Sequence, residues 1–144
     1  MTPDALARAC ADAMLVEDRA IRGLGISLDK VGPGHASVSM TVTETMLNSH
    51  GICHGGFIFA LADTAFAYAC NSHGQSAVAQ HNSITFLRPG RLGERLTAEA
   101  TERSRTARSG IYDVRVTGAD GGAVAELRGH SRLIGGRLVP RREG

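Results

Sequence analysis

The stretch Asn48-Ser49-His50-Gly51-Ile52-Cys53-His54-Gly55-Gly56 runs directly into an apolar segment, Phe57 to Cys70, whose only charged residue is Asp63. A helix that opens at the glycine pair presents unpaired backbone N–H groups and the positive end of its dipole, a ready place for an oxyanion or a polarised carbonyl. A carboxylate inside an otherwise apolar helix is costly unless it is paired or used, so Asp63 is a candidate acid, base or nucleophile. Each residue also has a plain structural reading. Asp63 could be satisfied in a buried hydrogen-bond network, and the glycines could serve a tight strand-to-helix turn. His54 could be a packed histidine orienting the loop, and Asn48 an Asx-type turn residue.

The same segment offers other chemistries, which fit less well. His50, Cys53 and His54 could ligate a metal, but no second Cys or His pair at ligand spacing completes a set. Cys53 beside His54 suggests a thiol nucleophile, yet adjacent residues need not face each other. The Gly-x-Ser-x-Gly elbow of serine hydrolases and the Gly-x-Gly-x-x-Gly dinucleotide pattern are both absent from the sequence.

Spacing adds a constraint. Asp63 lies seven residues after Gly56, which returns it to the same side of a helix but about 10 Å further along. An aspartate side chain does not span that gap. If the glycine pair and Asp63 serve one site, the carboxylate must come from a second copy of the chain. An isologous dimer with antiparallel helices would then form two equal composite sites.

The elements that must position these groups can be read from the pattern. At 144 residues the chain is long enough for one domain with a respectable core and too short for two. A formal charge of +2 and a pI near 8.6 argue for neither nucleic-acid nor membrane partners. Lys30 is the single lysine; the other basic residues are arginine. Three scattered cysteines in a chain without a signal-like start point to a reducing cytoplasm, and the longest apolar run falls short of a bilayer span. Thr2-Pro3-Asp4 is a helix start, with helical spacing from Leu6 to Met14 predicting an N-terminal helix over about 3–22. Ile26 to Val42 reads as strand broken by a turn at Gly32-Pro33-Gly34. After the central helix, four strands are predicted: Ala77 to Leu87, one through Leu96, Ala98 and Ala100, one through Tyr112, Val114 and Val116, and Ala123 to Ile134. A polar tail follows from about 138. A meander of this kind predicts an antiparallel sheet with one buried face, and a helix apolar nearly all round must be wrapped. The fold class expected is α+β, a curled antiparallel sheet around one long central helix.

Asn48-x-x-Gly51-x-x-His54-Gly55-Gly56 followed by Leu61-Ala62-Asp63 resembles the signature of the hotdog-fold thioesterases, and specifically the PaaI type, the phenylacetyl-CoA thioesterase group. The likeness extends through Asp63 to Asn71, Phe86-Leu87-Arg88-Pro89-Gly90 and Gly135-Gly136. It implies a hotdog domain over 1–144 that hydrolyses a short or aromatic acyl-CoA, phenylacetyl-CoA or its ring-hydroxylated forms foremost. It also implies that the Gly56 N–H, with a neighbour such as Gly55, binds the thioester oxygen and that Asp63 of the other subunit acts as general base or nucleophile. Asn48 and His54 would hold substrate or water near the carbonyl, and Thr64 would orient water. Coenzyme A is then part of the substrate and no separate cofactor or metal is expected. Its phosphates make Arg88, Arg103, Arg105 and Arg108 candidate contacts, with Arg91 and Arg132 behind them. The expected assembly is a homodimer with composite sites, built into a homotetramer as a dimer of dimers. The alternatives from other classes are a hotdog hydratase or dehydratase and a non-catalytic acyl-CoA-binding module.

Overall fold

The computed structural model describes residues 1–140. It contains α1 (Pro3–Glu17), α2 (Arg19–Gly23), β1 (Ser27–Gly32), β2 (His35–Thr41), a short 3-10 turn (Glu44–Met46), α3 (Gly55–Cys70), β3 (Gln75–Phe86), β4 (Arg95–Arg105), β5 (Ser109–Thr117) and β6 (Ala123–Arg137). The hotdog expectation holds: one six-stranded antiparallel sheet curls around α3, with α1 against β1.

Thr2 caps α1 as its position suggests, its hydroxyl accepting the Ala5 N–H at 3.1 Å. The predicted single N-terminal helix is in fact two. Asp18 ends α1, accepts the Ile21 N–H to cap α2, and receives the Tyr68 hydroxyl at 3.1 Å. A carboxylate that caps and also anchors a core tyrosine favours the break over a continuous helix. The polar tail is described only as far as 140, and its remainder lies outside the described residues.

The sheet departs from a meander. Its order is β1-β2-β4-β5-β6-β3, so β3 leaves the chain order, crosses to the far side and, among the described residues, pairs only with β6. Alternation marks β3 as a strand but carries no information on its neighbour, and β6 supplies the long partner. This places β3 at one edge, beside the open side of α3.

Inward positions of the strands form the core: Val38 and Met40, Leu96 and Ala98, Tyr112 and Val114, Val124 and Leu127. They close on Ile58, Leu61, Ala62, Ala65, Phe66 and Ala69 of α3. Phe66 and Tyr112 meet with ring centroids 5.5 Å apart, and burying a Phe side chain of this kind contributes about 1.5–3 kcal/mol. The wrapping is incomplete. Gly56, Ala60, Asp63, Thr64 and Ala67 are left partly exposed, and at 100° per residue they form one continuous stripe. The stripe runs along small residues, with Asp63 at its centre.

Candidate active site

The loop before α3 is fixed by its own polar groups. Gly51 adopts φ +73°, a left-handed conformation that glycine takes without penalty. The Asn48 side-chain oxygen accepts the N–H groups of His50 at 2.9 Å and Ile52 at 3.3 Å, an Asx-type turn. Cys53 N–H bonds to the Gly90 carbonyl and His54 N–H to that of Met46, which pins the helix start to two other segments. His54 is the N-cap residue, with extended backbone, no side-chain cap and an exposed ring. The turn expected of the glycine pair is therefore made by Gly51; neither Gly55 nor Gly56 has a positive φ.

Gly55 and Gly56 differ in what surrounds them. A Cβ at Gly55 would lie 2.9 Å from Phe86 Cζ, so this glycine makes room for the Phe86 ring. A Cβ at Gly56 would meet nothing within 4 Å. Neither backbone conformation nor packing within the chain requires glycine at 56. The N–H groups of both residues have no acceptor among the described residues, and Gly56 faces open space on the exposed stripe. Beside them lies a mostly apolar recess of about 380 Å³ whose lining includes Ile52, Gly55, Ile58, Phe86 and Leu87 together with Asn48 and Arg88. It is a place where an acyl group could lie against the helix start.

Asp63 stands two turns further along the stripe. Its Oδ1 accepts a hydrogen bond from Asn82 Nδ2 of β3 at 3.1 Å. Burial lifts its carboxyl above the ordinary carboxylate value, and the Asn82 hydrogen bond pulls it part of the way back. The Thr64 hydroxyl donates to the Ala60 carbonyl at 2.7 Å, so it has lone pairs but no proton to offer a water. Asn48, His54, Gly55 and Gly56 thus gather at the helix start, while Asp63 and Thr64 sit apart from them on the same helix face.

The arginines fall into two sets. Arg88 is held by Glu94 at 2.9 Å and Asp120 at 2.8 Å, and Arg103 by Asp113 at 2.8 Å, so two of the expected phosphate contacts are already neutralised by carboxylates. Arg105 and Arg108, on and after the end of β4, have no carboxylate within 4 Å among the described residues. Arg105 borders a recess of about 400 Å³ with His73, Thr106 and Arg137, and Arg108 one of about 470 Å³ with His81, His130 and Arg132.

Burial pushes the Cys53 thiol up, away from thiolate character, and its sulfur lies 3.6 Å from the His54 carbonyl oxygen. Among the described residues no group of three His, Cys, Asp or Glu side chains is placed to hold a metal, and no helix is long and apolar enough to cross a membrane. Asn82 and Phe86 were not singled out by sequence reasoning as site residues. The available signal was a polar residue at an inward strand position opposite a lone acid.

Residues 50–125 match the thioesterase superfamily. The chain is 48% identical over 129 residues to the acyl-coenzyme A thioesterase PaaI of Escherichia coli strain K12, covering 90% of this chain and 92% of that protein. Its fold superimposes on the structure of the E. coli PaaI protein from the phenylacetic acid degradation operon with a TM-score of 0.93 at 46% identity, over 94% of this chain and 99% of that one. A hypothetical thioesterase from Streptococcus pneumoniae TIGR4, solved with coenzyme A, is similar at a TM-score of 0.75 and 28% identity, over 78% and 88% of the two chains.

Proposed function

Since the chain belongs to the thioesterase superfamily, we propose that it hydrolyses an acyl-CoA to the free acid and coenzyme A. The observation that carries this reading is Gly56: an exposed glycine required by neither φ nor packing, whose N–H has no acceptor among the described residues, on the stripe that also bears Asp63. A thioester oxygen seated on that N–H gains most when negative charge builds on it in the tetrahedral transition state. Gly55 lends a second N–H and the helix dipole. Asp63, ionised, either takes a proton from the attacking water, so that the carbon–sulfur bond breaks and acid and CoA thiolate leave directly, or attacks the carbonyl carbon itself, expelling the CoA thiolate and forming a mixed anhydride that water then hydrolyses to release the acid and restore the carboxylate. The Asn48 amide nitrogen and the His54 ring, both unengaged at the helix start among the described residues, are the groups to hold substrate or water, and Thr64 can accept from a water beside Asp63.

Because about 10 Å of helix separates Gly56 from Asp63, each site takes the N–H from one chain and the carboxylate from another. The unwrapped stripe of α3 and the open edge of β3, with Val78, Phe86 and Leu87 exposed, support such a dimer. Two dimers would pair into a homotetramer. Among the arginines, Arg105 and Arg108, which have no carboxylate within 4 Å among the described residues, are the ones to meet the CoA phosphates. The apolar recess at the helix start, with the Phe86 ring in its wall, suits a phenylacetyl or hydroxyphenylacetyl group. Coenzyme A is substrate, so the proposed reaction needs no cofactor. Three free cysteines fit a reducing cytoplasm.

The test is thiol release from a panel of acyl-CoAs, phenylacetyl-CoA among them. Wild-type protein should liberate free thiol and Asp63→Asn should not, with losses of about 10²-fold or more. Hydration of an acyl chain, or binding without turnover, would liberate no thiol and would overturn the reading.

A further inference from the structure

Asn82 is a poor fit to its surroundings in every respect but one. It occupies an inward position on β3, opposite Gly129 of β6. Its amide donates to Asp63 Oδ1, but its own Oδ1 is buried with no donor among the described residues. A Cβ at Gly129 would come within 2.7 Å of that oxygen and 3.0 Å of the fully buried Phe66 ring, so β6 carries a glycine in mid-strand to leave room for the amide. Glycine weakens a strand interior, and a buried unpaired acceptor is destabilising. An apolar residue of similar size at 82 would avoid the orphan acceptor. What the amide brings in return is one donor on the Asp63 carboxylate.

We propose that Asn82 is a positioning residue for the reaction: its amide ties down one oxygen of Asp63 and leaves the second oxygen to face the substrate. This rests on the thioesterase reading and goes beyond it by naming the group that orients the acid and counters the effect of its burial. Among the described residues Asn82 is the only hydrogen-bond donor to the Asp63 carboxylate. Asp63 makes no ion pair among the described residues. Of the ionisable groups packed around α3, namely Tyr68 and Cys70 on the helix, Tyr112 on β5 and Cys53 before its start, only Cys70 is coupled to Asp63. The Cys70 thiol is pushed up to about 12 by burial first and by Asp63 second, so it is neutral while Asp63 titrates. His81, the next residue on β3, is exposed on the alternate face and meets His130 there.

The experiment compares Asn82→Leu and Asn82→Asp with wild type by the pH profile of kcat and by 13C NMR titration of the Asp63 carboxyl, which needs no turnover. Asn82→Leu should move the acid limb and the carboxyl titration to higher pH by about one to two units, the worth of a hydrogen bond to an ionised group, with KM within about twofold. Asn82→Asp, nearly isosteric and the informative variant should the leucine protein not fold, should move both further, because two carboxylates in hydrogen-bond reach do not ionise together readily. An acid limb and a carboxyl titration that stay at their wild-type positions in a folded variant would overturn the proposal. Absence of thiol release by wild type would instead overturn the thioesterase reading, and the carboxyl titration would still decide whether Asn82 governs Asp63.

Discussion

Replacing each of two adjacent glycines with alanine should have opposite consequences. At Gly56 the new methyl group meets nothing within 4 Å, and the residue is helical with ordinary φ. Alanine is favoured over glycine in a helix by up to about 1 kcal/mol, less in the first turn. Gly56→Ala should therefore melt at or slightly above the wild-type temperature. The methyl would stand where the thioester oxygen must approach the N–H, and loss of an oxyanion donor costs about 10²–10³-fold in kcat. At Gly55 the methyl lands 2.9 Å from Phe86 Cζ. Phe86 is 48% exposed and its ring can swing outward, so the overpacking falls at the low end, about 1 kcal/mol. For a chain of this size that lowers Tm by about 3–4 °C. Thermal melts at matched protein concentration, with kcat/KM from thiol release, read both effects. An active Gly56→Ala enzyme, within about threefold of wild type, would refute the reasoning, and so would a Gly56→Ala protein that melts well below Gly55→Ala.

Three further outcomes are expected. Asp63→Asn removes a carboxylate whose value burial has raised; since the ionised form is disfavoured on folding at pH above that value, the variant should melt no lower than wild type at pH 7 while turnover is lost, which calorimetry and the thiol assay check together. Arg105→Ala and Arg108→Ala should raise KM for acyl-CoA but not for acyl-pantetheine, whereas Arg88→Ala, which frees Glu94 and Asp120, should lower Tm with KM little changed. Burial would raise the Glu102 carboxyl, but the hydrogen bonds from Tyr112 at 2.7 Å and His73 at 2.8 Å prevail and hold it below the ordinary value; the stability this lends is present above the unfolded value and is lost as pH falls through the folded one, so Glu102→Gln should flatten the loss of Tm below about pH 4.5.

The elements were legible where periodicity is strong. The apolar run to Cys70, the alternation in β2 and β5, and the turns at Pro33 and Gly118 to Gly122 all correspond to observed structure. The place of β3 was not legible, because alternation marks a strand without naming its neighbour. The break at Asp18 escaped for a similar reason: its partner, Tyr68, is fifty residues away. In the site, Asp63 and Gly56 stood out by chemistry against an apolar background. Asn82 did not, since its meaning depends on facing Asp63 across the sheet. Arg88 and Arg103 looked free until strand pairing brought carboxylates to them. Gly51 had to be distinguished from Gly55 and Gly56 by φ, which residue type alone does not give.

The central claim is a site shared between two chains, and mixed dimers of two inactive variants test it most directly. Asp63→Asn supplies a sound helix start and no carboxylate; a variant with a bulky residue at Gly56 supplies the reverse. In a verified heterodimer one composite site carries both lesions and the other carries neither, so thiol release should return to about half of the wild-type rate per dimer. Heterodimers that stay as inactive as their folded parents would contradict the shared site.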